Sequence, residues 1–306
     1  MESIGCLNKK TILILSNPFL QPNLLQKMKK AIHYITLLCL PSLLLSYTVS
    51  AQKKDSPDHT NCYKDVSKDT PELKIDIVDG VSKTEFIKIK VKFTNNTNDY
   101  IIYKPKESSF TVAQKDFPIS DRMLLISPLS KGSRVLDVKG NGTNVHVDKF
   151  MFNINGLGKI NANALAVAAP NYKLPVSVNE FTAGNFKVQM LKVDKQTDET
   201  KVKFKVTYMG NDYGLVNPNN IAVKTDKTAD TEYANAKNNQ DAFLLAKGES
   251  DTFSASFTIP GKVVDMQFAN MEIVWRDTFK DCKLNKLDGQ SMVITIDEGK
   301  TAGKNK

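Results

Sequence analysis

The chain has 306 residues, with 42 basic and 33 acidic side chains and a formal charge of +9. The excess is lysine, and arginine occurs only at Arg122, Arg134 and Arg276; phosphate and base recognition favours the bidentate guanidinium fork, so nucleic acid is not an expected partner. The length exceeds the about 100 to 150 residues of a usual domain and predicts two.

Met28 to Ala51 reads as a secretory signal peptide. Lys29 and Lys30 form its basic start, Ile32 to Leu45 its apolar run, and Val49-Ser50-Ala51 its small-residue end. The run falls short of the ~20 residues that span a bilayer and Pro41 interrupts it, so no transmembrane anchor is expected in the mature chain. Cys39 follows Leu37 and Leu38 and precedes further apolar residues, the wrong setting for a lipidated cysteine. Residues 1–27 lie upstream of a complete signal, which puts the translation start at Met28. Cleavage leaves 255 residues from Gln52 and removes five lysines and one glutamate, so 37 basic residues face 32 acidic ones. The product is expected in the periplasm or outside the cell.

Residues 52–71 are polar and predict a flexible leader. Of the four cysteines only Cys62 and Cys282 survive cleavage, in an oxidising compartment. A bridge between them would close nearly the whole mature chain, worth about 5 kcal/mol by loop entropy. Two free or intermolecular thiols are the alternative.

The mature chain then repeats itself. LKIDIV from Leu73 matches FKVQML from Phe186. Next, Ile87, Ile89, Val91 and Phe93 alternate with Lys88, Lys90 and Lys92, as Val202, Phe204, Val206 and Tyr208 alternate with Lys201, Lys203 and Lys205. Period two means a strand with one buried face. Turns containing Asn98-Asp99-Tyr100 and Asn211-Asp212-Tyr213 follow, then Pro105 and Pro218. Further on, Leu129 to Gly132 overlays Leu245 to Gly248, and Phe152 to Gly156 overlays Phe257 to Gly261, with an insertion around Lys139 to Val147 in the first copy. Short strands about every 8 to 12 residues between Asn/Gly/Pro turns predict an all-β chain of two tandem β-sandwiches. The expected boundaries are 72–180, 181–299 and a disordered tail, 300–306.

Leu244-Leu245-Ala246-Lys247-Gly248-Glu249-Ser250, running on through Asp251 to Ile259-Pro260-Gly261, resembles the telokin-like, immunoglobulin-like extracellular domains of bacteria. The first copy departs from that pattern, with Gly132-Ser133-Arg134 in place of Gly-Glu-Ser. The resemblance implies immunoglobulin-like sandwiches with a binding or scaffolding role, and it brings no catalytic residues.

Acid/base catalysis relies most often on histidine, and the mature chain has only His59, in the leader, and His146, in the insertion. No Cys/His spacing suits a metal, and no phosphate-binding glycine loop or nucleophile motif occurs, so neither cofactor nor enzymatic activity is expected. Asp76 and Asp79 lack the oxygen-rich loop that holds calcium. The lysine ridges suit an anionic glycan or membrane surface, or else they merely keep strands from pairing edge to edge. Tyr100, Tyr103 and Tyr213 mark equivalent turns and offer amphipathic contact surface, unless they cover the ends of the cores. Trp275 shares a face with Met271 and Ile273 and is expected in a core. The functional expectation is a non-enzymatic module that binds a protein or glycan of the envelope. A structural spacer and an enzyme with a site between the domains are the alternatives.

Overall fold

Period-two alternation runs through the strands of the computed structural model, which describes residues 59–306 apart from 176, 229 and 230. The segments 1–27 and 28–51, Cys39 and the start of the leader lie outside the described residues.

The first half of the chain forms β1 (Asn61–Cys62), β2 (Val66–Asp69), β3 (Leu73–Lys83), β4 (Phe86–Asn95), β5 (Tyr100–Tyr103), β6 (Ser109–Val112), β7 (Lys115–Pro118), β8 (Leu124–Ile126), β9 (Lys131–Lys139), β10 (Lys149–Ile154) and β11 (Leu157–Ile160). The second forms β12 (Tyr172–Leu174), β13 (Glu180–Ala183), β14 (Phe186–Lys195), β15 (Glu199–Tyr208), β16 (Tyr213–Val216), β17 (Ile221–Thr225), β18 (Tyr233–Ala234), β19 (Phe243–Ala246), β20 (Ser250–Thr258), β21 (Met271–Trp275) and β22 (Phe279–Cys282). The chain ends with β23 (Leu284–Lys286), β24 (Gln290–Thr295) and the short helix α1 (Glu298–Lys304). Pro105 and Pro218 each open a single helical turn, where a missing N–H and a fixed φ are no handicap.

The halves build matching antiparallel sheets. β3-β4-β9 corresponds to β14-β15-β20, β10-β6-β7 to β21-β17-β18, and β11-β5-β8 to β22-β16-β19. Each half is sandwich-like around its own core. Ile87, Ile89, Val91 and Phe93 meet Phe110 and Phe152 in one, and Val202, Phe204, Val206 and Tyr208 meet Ile273 and Phe279 in the other. Even the irregularities repeat, with register shifts between Val78 and Val81 in β3 and between Met190 and Lys192 in β14.

Pairing also corrects the sequence overlay. Ile101 opposes Ile126 as Gly214 opposes Leu245, so Leu245 matches Ile126; Leu129 is a solvent-exposed turn residue instead. Phe152 in β10 matches Ile273 in β21, whereas Phe257 lies in β20. The apolar-x-apolar pattern is common to all inward-facing strands and cannot tell one from another. It follows that the first copy has no insertion: 140–148 is shorter than its counterpart, 259–270.

The boundaries differ as well. β1 and β2 in the leader both pair with β3, and Tyr63 is buried in the first core. The strand at Tyr172, inside the expected first domain of 72–180, pairs with β21 of the second half. The end of the chain returns to the first: β23 pairs with β11 and β24 with β10, burying Met292 and Ile294 there. Residues 300–306 are mostly helix rather than tail, because Asp297 Oδ1 caps Lys300 N at 3.0 Å, Thr301 Oγ1 accepts from Cys62 N at 2.9 Å and Asn305 Oδ1 accepts from Thr60 N at 2.8 Å.

These closing strands occupy equivalent places. Lys286, Met292 and Ile294 sit on the first half as Ala166, Tyr172 and Leu174 sit on the second, with identical spacing. The closing segment after the first repeat therefore completes the second, and the one after the second completes the first.

Candidate functional site

The described residues cluster as one unit, and inside it the halves meet through the faces of two sheets. Ile102, Ile160, Leu215, Leu244 and Cys282 form a separate apolar cluster there, flanked by Tyr100, Met123, Leu125, Tyr213 and Leu284. Burying these side chains fixes the joint, since apolar area removed from water stabilises by about 25 cal/mol per Å².

At one edge of the joint a cleft of about 660 Å³ opens. Its first wall carries Lys104, Lys106 and Glu107, from the turn after β5, and Asp121 and Arg122, which lead into β8. Its second wall is Leu244–Ala246 of β19 with Glu249, Ser250 and Asp251 at the start of β20, and Tyr213 forms part of the floor. Lys104 Nζ stands 5.2 Å from the Tyr213 ring centroid and 3.4 Å from Glu107 Oε1. Burial works against the Lys104 charge, but Tyr213 and Glu107 outweigh it and hold the ammonium above its usual pKa. Glu249 Oε2 accepts from Ala246 N at 2.9 Å, and Asp251 Oδ1 accepts from Thr252 N at 2.7 Å. Lys104, Lys106 and Arg122 share the lining with Glu107, Asp121, Glu249 and Asp251, so the site suits a partner carrying both charges. A second hollow, about 520 Å³ beside Leu174 and Pro175, is lined by the second half alone.

The three tyrosines do not form one exposed surface. Tyr103 is fully buried in the first core, its hydroxyl donating to Ser108 Oγ at 3.2 Å and its ring 4.9 Å from Phe93; it stands one residue too far into β5 to face the turn. Tyr100 and Tyr213 are half-buried at the joint rather than on an outer tip. Burial raises the Tyr100 pKa, with the nearby Cys282 acting the same way.

The lysine ridges lie outward as expected, but on the central strands β4 and β15, so they guard no sheet edge. In the first, Lys88 opposes Asp137 and Lys92 opposes Asp76, while Lys90 stands beside Val135. In the second, Lys201 is 2.6 Å from Glu199, whereas Lys203 lies between Lys192 and Ser254 and Lys205 between Gln189 and Thr252. The second ridge is therefore the less compensated one.

Cys62 and Cys282 are free thiols, one in β1 and the other buried in β22. They are not bridged: Cys62 pairs with Val81 in the first half, whereas Cys282 pairs with Tyr213 at the joint. Desolvation pushes the Cys282 pKa up to about 11. His59 and His146, apart in sequence, stack with centroids 5.1 Å apart and Nδ1 to Nε2 at 3.2 Å. Among the described residues no group of three or more His, Cys, Asp or Glu is placed to hold a metal, and no helix is long and apolar enough to cross a membrane. Trp275 packs against Phe181, Phe204, Phe253 and Phe279, as its alternation predicts.

No family model matches the chain, and no curated protein does. Among solved structures, a conserved domain protein from Bacillus anthracis aligns over 79% of this chain and 93% of its own, at 13% identity and a TM-score of 0.20. A GH31 alpha-xylosidase from Xanthomonas citri aligns over 77% of this chain and 32% of its own, at 7% identity and a TM-score of 0.14.

Proposed function

We propose that the mature chain is an exported, non-enzymatic binding module built from two immunoglobulin-like, telokin-like sandwiches, and that it holds a protein or glycan of the envelope in the cleft between them. The observation that carries this is the cleft itself, a concave site to which both copies contribute and whose walls hold Lys106 and Arg122 on one side and Glu249 and Asp251 on the other. Convergent polar groups around one hollow are the usual mark of a ligand site. Export rests on the segment from Met28 to Ala51. The test compares the mature protein with a Lys106→Glu/Arg122→Glu variant on envelope extracts and glycan arrays. A ligand held by the first and lost by the second supports the proposal; equal recovery by both moves the site elsewhere.

One observation favours a second role, that of a spacer. The apolar joint around Ile102, Leu215 and Leu244 locks the halves together, as a module that sets a distance would require. In that case the charge-reversal variant behaves like the wild type in every binding assay, while loosening the joint with Leu215→Ala impairs function.

A further inference from the structure

We infer that the outer face of β4 and β9 holds a phosphate group, in a hollow lined by Lys90, Lys92 and Lys131. This hollow shares no residue with the cleft and does not depend on it.

Strand register brings the three lysines together. Lys92 on β4 opposes Ser133 on β9, and the next outward pair is Thr94 with Lys131. Lys90 stands two residues before Lys92 on the same strand, about 7 Å away at about 3.4 Å per residue, and Lys131 is the diagonal neighbour of Lys92 across the ladder, at about 7 to 8 Å. Flexible lysine stems cover both separations, so the three ammonium groups can close on one ligand. The short side chains of Ser133 and Thr94 stand between the long ones and leave a hollow of about 400 Å³. Their hydroxyls make no hydrogen bond within the protein among the described residues, which leaves them to donate to a ligand.

Charge balance sets this hollow apart. The cleft has three basic and four acidic residues in its lining, the hollow beside Leu174 has two of each, and one around Asn141 has Lys139 against Glu85. Here three lysines meet a single acid, Asp76, and that acid is already engaged: its Oδ1 accepts from Ser67 Oγ at 2.6 Å and lies 3.4 Å from Lys74 Nζ. None of the three lysines forms an ion pair among the described residues. Like charges gathered on one sheet face repel, and three lysines against one acid leave a surplus of two positive charges. A phosphomonoester carries nearly two negative charges and three acceptor oxygens, more than a carboxylate offers to three ammonium groups and two hydroxyls. Lysine meets such an oxyanion as a point charge and needs no guanidinium fork.

The second copy lacks the third lysine. Asn95 N donates to Ser130 O at 2.9 Å as Tyr208 N donates to Glu249 O at 3.1 Å, which places Lys203 and Lys205 at the positions of Lys90 and Lys92 but Ser250 at that of Lys131.

The test is an amide NMR titration of the mature chain at constant ionic strength. Inorganic phosphate and glucose 1-phosphate should each give saturable shifts at Lys92, Lys131 and Ser133, while acetate gives none. Lys92→Gln/Lys131→Ser, whose second change installs the residue of the second copy, should weaken both at least about tenfold. The melting temperature should not change, because both side chains are exposed. Lys203→Gln/Lys205→Gln should leave both affinities within about twofold. Tighter binding of glucose 1-phosphate would assign the phosphate to a sugar, tighter binding of the inorganic ion would assign it to the free anion, and equal affinity would mean that the phosphate alone is recognised; all three support the site. Shifts that do not saturate, equal shifts with acetate, or equal loss in the two double variants overturn it. Pelleting of the chain with phosphatidate vesicles while neither soluble phosphate binds would make the face a membrane surface and overturn the phosphate pocket.

Discussion

Ile294→Ala should strike the first half of the molecule, although Ile294 follows the whole of the second half in sequence. Ile294 is fully buried, faces Phe150 across the β10–β24 ladder and belongs to the first core. The substitution removes three carbons, about 2.4 kcal/mol at about 0.8 kcal/mol each, and a cavity that relaxes only partly raises the cost to about 3 to 4 kcal/mol. For a chain of this size each kcal/mol lowers the melting temperature by roughly 2 to 4 °C, so a drop of about 10 °C is expected. Calorimetry gives the magnitude and hydrogen exchange gives the place, with protection lost first in Lys149–Ile154 and Ser109–Val112, the strands of that sheet. An unchanged melting temperature, or protection lost in β21 and β17 instead, would refute the pairing of β24 with β10.

Other outcomes follow from the same architecture. Replacing 161–283 by a short turn should leave the first half folded, because Ile160 and Leu284 are already paired neighbours, whereas ending the chain at Cys282 should unfold it; circular dichroism melts separate the two. Burial raises Cys282 to about 11, so the folded thiol keeps its proton where the unfolded one ionises; this contribution to stability is present below about pH 8.5 and is lost as pH rises toward 11. Cys282 should accordingly resist thiol reagents at neutral pH until urea exposes it, while half-buried Cys62 reacts first. Gly214→Ala puts a Cβ against the rings of Tyr208 and Phe186 and should cost about 1 to 3 kcal/mol, read as a lower urea midpoint.

The strands with long alternation were legible because period two reports burial directly: every inward residue expected in β4 and β15 is buried. What alternation does not carry is the partner. Ser291-Met292-Val293-Ile294 reads as a strand anywhere, and nothing local says that it belongs beside Phe150 rather than beside Ile273. Helix α1 was invisible for a different reason. Gly299 and Gly303 give it poor propensity, and it is held by Asp297 and by contacts to Cys62 and Thr60 made across the fold. The candidate site followed the same division. Of the residues at the Asn-Asp-Tyr turns Tyr213 lines the cleft, but the cleft is formed by segments as distant as Arg122 and Asp251 lining one hollow, and the His59–His146 contact depends on where the leader docks; neither leaves a trace in spacing.

The exchange of closing strands has a mechanical consequence. A protease that nicks the chain near Val178, an exposed residue between β12 and β13, would cut one covalent link without freeing either piece. The upstream fragment would still hold β12 on β21, and the downstream fragment would still hold β24 on β10. Each fragment carries the strand that finishes the other's core, so the cut molecule should migrate as one species until denatured. The protein is thus fastened like clasped hands, and a load applied to either half is shared by both.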